Sequence, residues 1–216
     1  MLSVKAFTFN PVQENTYVLY NEKGQCCIID PGCYFPEEKR ELESTIIKSG
    51  LHPLLLINTH CHLDHVFGNQ FVHDVWGLTL HIHEKEKPML DLAPESGVAW
   101  QMPFDNYEGP LTWLKENTVL KFGDGNDELE IRFTPGHSPG SIALYHEAGG
   151  FIIGGDVLFD GSIGRTDLPG GDFKTLVNSI QTQFFTLPDE TRVYSGHGPV
   201  TTIGFEKMNN PFVKLY

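Results

Sequence analysis

The stretch Thr59-His60-Cys61-His62-Leu63-Asp64-His65 decides how this chain is read. It follows a continuous apolar run, Leu54-Leu55-Leu56-Ile57, between Pro53 and Asn58. Such a run reads as a strand buried on both faces. Asp64 to Val75 beyond it reads as a helix, so the motif sits where a strand hands over to a helix. Side chains of an extended turn alternate with period two, so His60 and His62 point one way and Cys61 the other. Asp64 and His65 then stand beside them on the first helical turn. Neutral imidazoles and a carboxylate suit zinc, and also iron or manganese. A lone histidine is ordinarily a surface or satisfied core residue. Several at this spacing, buried without a metal, would be crowded polar groups in need of partners.

Upstream, Phe7 to Phe9, Thr16 to Tyr20 and Gln25 to Asp30 read as short strands, the last two joined by the turn Asn21-Glu22-Lys23-Gly24. Pro36 to Ser49 reads as a helix with Leu42, Ile46 and Ile47 on its apolar face. Downstream, Leu78 to His83 reads as a strand. Residues 84–118 mix Met89, Trp100, Met102, Phe104, Tyr107 and Trp113 with prolines and glycines, without a clear period. A lid or binding loop is one reading of such a segment; a packed insertion or a subunit contact is the other.

A second set of strands follows: Val119 to Phe122, Glu128 to Thr134, Ser141 to Tyr145 and Phe151 to Gly154. A helix over Phe173 to Phe185 comes next, with Asp172 as its N-cap, then a strand over Arg192 to Ser195 and a short helix from Thr201 to Met208. Three further candidate ligands stand at the ends of these strands. They are His137 in Thr134-Pro135-Gly136-His137-Ser138-Pro139-Gly140, Asp156 after Ile152-Ile153-Gly154-Gly155, and His197 in Tyr194-Ser195-Gly196-His197-Gly198-Pro199. Strand ends of layered α/β folds are where ligands usually bind. With the first motif, these residues supply enough donors for two coordination spheres.

Composition narrows the function further. The formal net charge is −13 with no basic run, which disfavours a nucleic-acid partner. No signal core opens the sequence and no apolar run is long enough to span a bilayer, so no membrane association and a cytoplasmic location are expected. Cys26, Cys27, Cys33 and Cys61 form no C-x-x-C pair and no disulfide framework. Cys26 and Cys27 read as small buried hydrophobes.

The ordered set His-x-His-x-Asp-His, Pro-Gly-His, Gly-Asp and Gly-His-Gly-Pro resembles the metallo-β-lactamase superfamily over nearly the whole chain. The resemblance implies an α/β fold of the four-layer αβ/βα sandwich type, here as one domain over residues 1–216. It implies that His60, His62 and His137 hold one divalent metal, Asp64, His65 and His197 a second, and Asp156 both, with Zn2+ the expected ion and iron or manganese alternatives. Exported β-lactamases of the superfamily typically carry a cysteine where this chain has Asp156. The segments Gly155-Asp156-Val157-Leu158-Phe159 and Gly164-Arg165-Thr166-Asp167-Leu168-Pro169-Gly170-Gly171-Asp172 are similar to glyoxalase II, the hydroxyacylglutathione hydrolases, in their short bacterial form. That likeness implies attack on a small-molecule hydroxyacyl thioester by a hydroxide shared between the metals. Asp64 is then both a ligand and a proton acceptor. Full-length glyoxalase II has a helical C-terminal domain that makes much of its glutathione contact. This sequence ends at Tyr216, which leaves the thiol carrier open.

Arg165 is a candidate contact for an anionic substrate, or one half of a surface salt bridge. Asp30 and Thr59 are candidates for hydrogen bonds that orient the ligands, although Asp30 equally reads as a strand terminator. Rival activities are a persulfide dioxygenase using a single iron on His60, His137 and Asp156, and a lactonase. A metal-binding protein without catalysis ranks last, because none of the ligands is missing.

Overall fold

The computed structural model describes residues 2–123 and 127–213. They fall into two compact units: the described parts of Met1–Leu114 with Lys121–Glu128, and of Lys115–Leu120 with Leu129–Tyr216.

The first unit holds a six-stranded mixed sheet in the order β1-β2-β3-β4-β5-β6. Its strands are β1 (Ser3–Phe9), β2 (Glu14–Tyr20), β3 (Gln25–Ile29), β4 (His52–Ile57), β5 (Leu80–His83) and β6 (Leu111–Leu114). The first three pair antiparallel through tight turns. From β3 onward the pairing is parallel, and each parallel step needs a crossover. Helix α1 (Pro36–Lys48) makes the first, α2 (Leu63–Val66) with α3 (Asn69–Trp76) the second, and α4 (Lys87–Ala99) the third. Glu38 starts α1 by accepting from the backbone N–H groups of Tyr34 and Phe35, at 2.7 and 3.0 Å. Gly77 ends α3 in the left-handed region at φ 68°, which glycine enters without steric cost. The core gathers Phe7, Val18, Cys26, Ile28, Leu42, Ile46, Leu56, Val72 and Ile82 between sheet and helices.

Four expectations change in this unit. Ile47 is 63% exposed, so the buried face of α1 is Leu42 and Ile46. In β4 only Leu56 and Ile57 are fully buried, whereas Leu54 is exposed, so an apolar run does not imply two covered faces along its length. The helix expected over Asp64 to Val75 is broken at Phe67-Gly68. Gly68 passes so close to Pro31 and Cys33 that a Cβ there would meet the Cys33 sulfur and lie 2.6 Å from the Pro31 carbonyl oxygen. The segment 84–118 is not irregular throughout: a 3-10 turn (Glu84–Glu86), α4 and β6 all lie in it. Pro88 and Pro94 mask α4 in the sequence, yet Pro88 sits in the first turn, where its missing N–H is harmless. Pro94 leaves the Leu90 carbonyl without its helical donor, and the side chain of Asn106 supplies one at 2.8 Å.

The second sheet has the order β14-β13-β10-β9-β8-β7. Its strands are β7 (Thr118–Phe122), β8 (Asp127–Phe133), β9 (Ile142–His146), β10 (Phe151–Gly155), β13 (Arg192–Ser195) and β14 (Thr201–Thr202). A small hairpin pairs β11 (Leu158–Phe159) with β12 (Ser162–Ile163). The β10–β13 pair is parallel, and its crossover is α5 (Phe173–Ser179), which continues as a π turn over Ile180–Phe184. Asp172 caps α5, accepting from the Thr175 N–H at 2.7 Å. Thr202 caps the last helix, α6 (Ile203–Asn209). Ile152, Leu158, Leu176, Ile180, Phe184, Val193 and Ile203 form the core of this unit. Among the described residues no helix is long and apolar enough to cross a membrane.

Candidate metal centre

Both sheets deliver their donors the same way. In the first unit, β3, β4 and β5 run parallel, so their carboxyl ends share one edge. Asp30 follows β3, the Thr59–His65 motif follows β4, and Glu86 follows β5. In the second unit, β8 and β9 pair antiparallel, as do β9 and β10, so β8 points along β10 and its parallel partner β13. His137, Asp156 and His197 follow the carboxyl ends of these three strands.

Within the first unit the imidazoles crowd together. The ring centroids of His60 and His65 are 4.1 Å apart, and those of His60 and His62 4.8 Å. Asp30, His60 and His65 can bring one ligand atom each to within 4.8 Å of one another, all three residues buried. Such rings cannot all be protonated, because like charges and burial both disfavour the cation. As neutral donors around a divalent ion they are compatible.

In the second unit, Asp156 Oδ2 lies 3.5 Å from His137 Nε2 and 3.5 Å from His197 Nε2. That is too long for a hydrogen bond, but near the separation of about 3.4 Å between two ligands of one tetrahedral ion. The Asp156 carboxylate oxygen is thus placed to share an ion with either imidazole. His65 Nε2 and Asp64 Oδ2, 3.7 Å apart, are similarly spaced. The donors present therefore fit divalent metals.

The surroundings bear on which nitrogen several of the rings offer. His137 Nδ1 lies 2.7 Å from the Arg165 carbonyl oxygen, to which it can only donate, leaving Nε2 as the donor to an ion. Thr59 Oγ1 donates to Asp30 Oδ2 at 2.6 Å and lies 3.1 Å from His60 Nδ1. Asp30 Oδ1 accepts from the Thr59 N–H at 2.7 Å, and its Oδ2 lies 3.3 Å from His65 Nδ1. Asp30 thus ends β3, and its carboxylate reaches Thr59 and the Nδ1 edge of His65. It does so with a strained backbone, at φ 48°.

Arg165 acts here through its backbone. Its guanidinium is half-exposed and held by Asp167 in a bidentate pair, at 2.7 and 2.8 Å. His81 and His73 hydrogen-bond to backbone carbonyls, and His83 caps the 3-10 turn. Cys61 points into the core, as the alternation predicts. The four free cysteines are all buried.

Sequence reasoning missed two carboxyls. Glu14 is fully buried, and burial pushes its carboxyl well above the usual range. Its Oε2 accepts from the Thr16 hydroxyl at 2.9 Å, and its Oε1 lies 3.8 Å from His65 Nδ1. Glu86, also buried, accepts from the Cys61 N–H at 2.8 Å and so holds the backbone between His60 and His62. A glutamate in Pro11-Val12-Gln13-Glu14-Asn15 or Glu84-Lys85-Glu86 carries no local mark of burial.

Residues 9–197 match the family model of the metallo-beta-lactamase superfamily, and the chain belongs to that superfamily. Its two large mixed sheets match the fold of solved members. It is therefore a protein of a metal-binding hydrolase family. Among its relatives is the hydroxyacylglutathione hydrolase GloC of Haemophilus influenzae, 34% identical over 98% of each chain. The crystal structure of TTHA1623 in a di-iron-bound form is 37% identical, covering 96% of this chain and 99% of that one with a TM-score of 0.87. That of the BLEG-1 B3 metallo-beta-lactamase is also 37% identical, covering 98% and 99%, with a TM-score of 0.89.

Proposed function

We propose that this protein hydrolyses hydroxyacyl thioesters in the manner of glyoxalase II, using two divalent metal ions. Following the division that the family resemblance implies, His60, His62 and His137 hold one ion, Asp64, His65 and His197 the other, and Asp156 both. The observation that carries the reading is the Asp156 carboxylate, with one oxygen 3.5 Å from an imidazole nitrogen of each of His137 and His197, which the resemblance assigns to different ions. The similarity to GloC along the whole chain supports the thioester as substrate.

Bound divalent ions supply Lewis acidity and lower the pKa of a water toward about 7. The chain's own residues do the rest. The Arg165 carbonyl and the Asp30–Thr59 pair keep the imidazoles in the tautomer that offers Nε2 outward. Asp64 accepts a proton during attack on the thioester carbonyl. The leaving thiolate is stable enough to depart without a strong general acid, and no further histidine is required.

The test joins elemental analysis of the purified protein to assays with an S-hydroxyacyl glutathione, a chromogenic β-lactam and a lactone. About two ions per chain, as a two-metal site requires, with thioester turnover foremost, is the expected result. A single iron, with oxygen consumed in the presence of a thiol persulfide, overturns it in favour of the dioxygenase. β-Lactam hydrolysis is the second reading, which the likeness to BLEG-1 favours. A kcat/KM higher for the β-lactam than for the thioester would select it.

A further inference from the structure

The β1–β2 turn reaches behind two of the ligands. Asn10, in that turn, donates its side-chain amide to the Asp64 carbonyl oxygen at 3.1 Å and to the Gly32 carbonyl oxygen at 3.0 Å. Its own N–H is held by Glu38 Oε1 at 2.7 Å. At the far end of the turn, Glu14 points its carboxyl toward the Nδ1 edge of His65. The carboxyl is itself fixed. Thr16 donates to it, and the same Thr16 oxygen accepts from the Gly32 N–H at 2.9 Å. Gly32 has no room for a side chain, because a Cβ there would overlap Glu14 Oε2.

Asp30 stands closer to the same nitrogen, its Oδ2 at 3.3 Å against 3.8 Å for Glu14 Oε1, and it is shared among several donors. Its two oxygens take the Thr59 N–H and hydroxyl, and the Asn58 amide approaches one of them at 3.3 Å. Glu14 therefore adds a second acidic group on the back of one ligand. His65 has no exposed surface and neither has Glu14, so water cannot replace the carboxyl.

We propose that Glu14 is a positioning residue: held by Thr16 and Gly32, it fixes the ring of His65 and strengthens the one metal ion that Asp64 and His65 hold. This rests on the two-metal reading above. A buried acidic group packed behind a ligating imidazole limits the ring's orientation, and loss of an orienting partner typically weakens metal binding roughly 10–100-fold. The loss should fall on one ion only, because the turn that carries Glu14 and Asn10 touches Asp64 and His65.

The experiment is a chelator competition that resolves the two zinc-binding steps, on the wild type, Glu14→Gln and a control, Glu206→Gln. Glu206 is equally buried but accepts from Thr201, Asn210 and the Gly161 N–H in the second unit. The melting temperature of each metal-free chain is read alongside. Glu14→Gln is expected to weaken one step roughly 10–100-fold and leave the other in place, while Glu206→Gln moves only the melting temperature. If Glu14→Gln moves neither step, weakens both alike, or does no more than the control, the inference is overturned. Should Glu14→Gln fail to fold, Thr16→Val decides, since it frees the carboxyl without removing it; the same single step must weaken. A wild type that binds only one ion overturns the two-metal reading instead, and leaves Glu14 no ion to serve.

Discussion

Asn106 completes a helix to which it does not belong: its side-chain amide donates to the Leu90 carbonyl, which Pro94 leaves without a backbone partner. Removing that donor leaves a carbonyl acceptor unsatisfied at about 1–3 kcal/mol. Asn106→Ala should lower the melting temperature by roughly 2–4 °C for each kcal/mol in a chain of this size. In a Pro94→Ala background the backbone N–H returns and the same substitution should cost less. Equal costs in both backgrounds, measured by urea unfolding, would show that Asn106 acts elsewhere.

Gly164 tests the packing around two ligands. A Cβ there would overlap the Asp156 carbonyl oxygen and come within 3.1 Å of His137 Nδ1. Gly164→Ala should lower metal content. Gly161→Ala is the comparison, because its site is open but its φ is 65°. That strain costs about 1–2 kcal/mol without reaching a ligand. Unfolding should report both substitutions, and elemental analysis only the first.

Arg165 separates side chain from backbone. Its carbonyl holds His137, so Arg165→Ala should leave metal content intact. A rise in KM would mark a substrate contact; unchanged kcat and KM would limit the side chain to its pair with Asp167. That pair lowers the Asp167 carboxyl to about 2 from its ordinary 3.8. Since the folded value is the lower one, the pair stabilises the fold above the ordinary carboxylate range. Its contribution disappears as pH falls from 3.8 toward 2. An NMR titration should place the midpoint near 2, and back in the ordinary range in Arg165→Ala.

The native thiols should be silent. Cys26 and Cys33 are pushed up to about 12 by burial, and Cys27 and Cys61 are also raised. Only the thiolate reacts readily. A disulfide reagent at neutral pH should titrate none of the four cysteines in the folded chain and all of them in denaturant. A fast-reacting native thiol would contradict the packing of Cys61 beneath the ligand loop.

What was legible in the sequence was local. The histidine motif announces itself because four potential ligands cluster within six residues. Most strands of both sheets were legible from short apolar runs between turns, but β6, inside the irregular-looking segment, and β14, read as the start of a helix, were not. The helix α4 was not, because the rule that proline breaks helices holds only when nothing replaces the lost hydrogen bond, and Asn106 lies well beyond the helix it repairs. The break at Gly68 depends on Pro31 and Cys33, far upstream, and Glu14 and Glu86 become site residues only through partners distant in sequence. Periodicity cannot report an encounter of that kind.

The parallel pairing of β10 with β13 sets an order of events. Asp156 and His197 follow strands separated by a hairpin and α5, and register is reached only when Gly155 meets Ser195. Pairings so remote form slowly, because the intervening loop must close first. The donors of the second unit therefore assemble later than the His60–His65 cluster, whose four donors lie within six residues of chain.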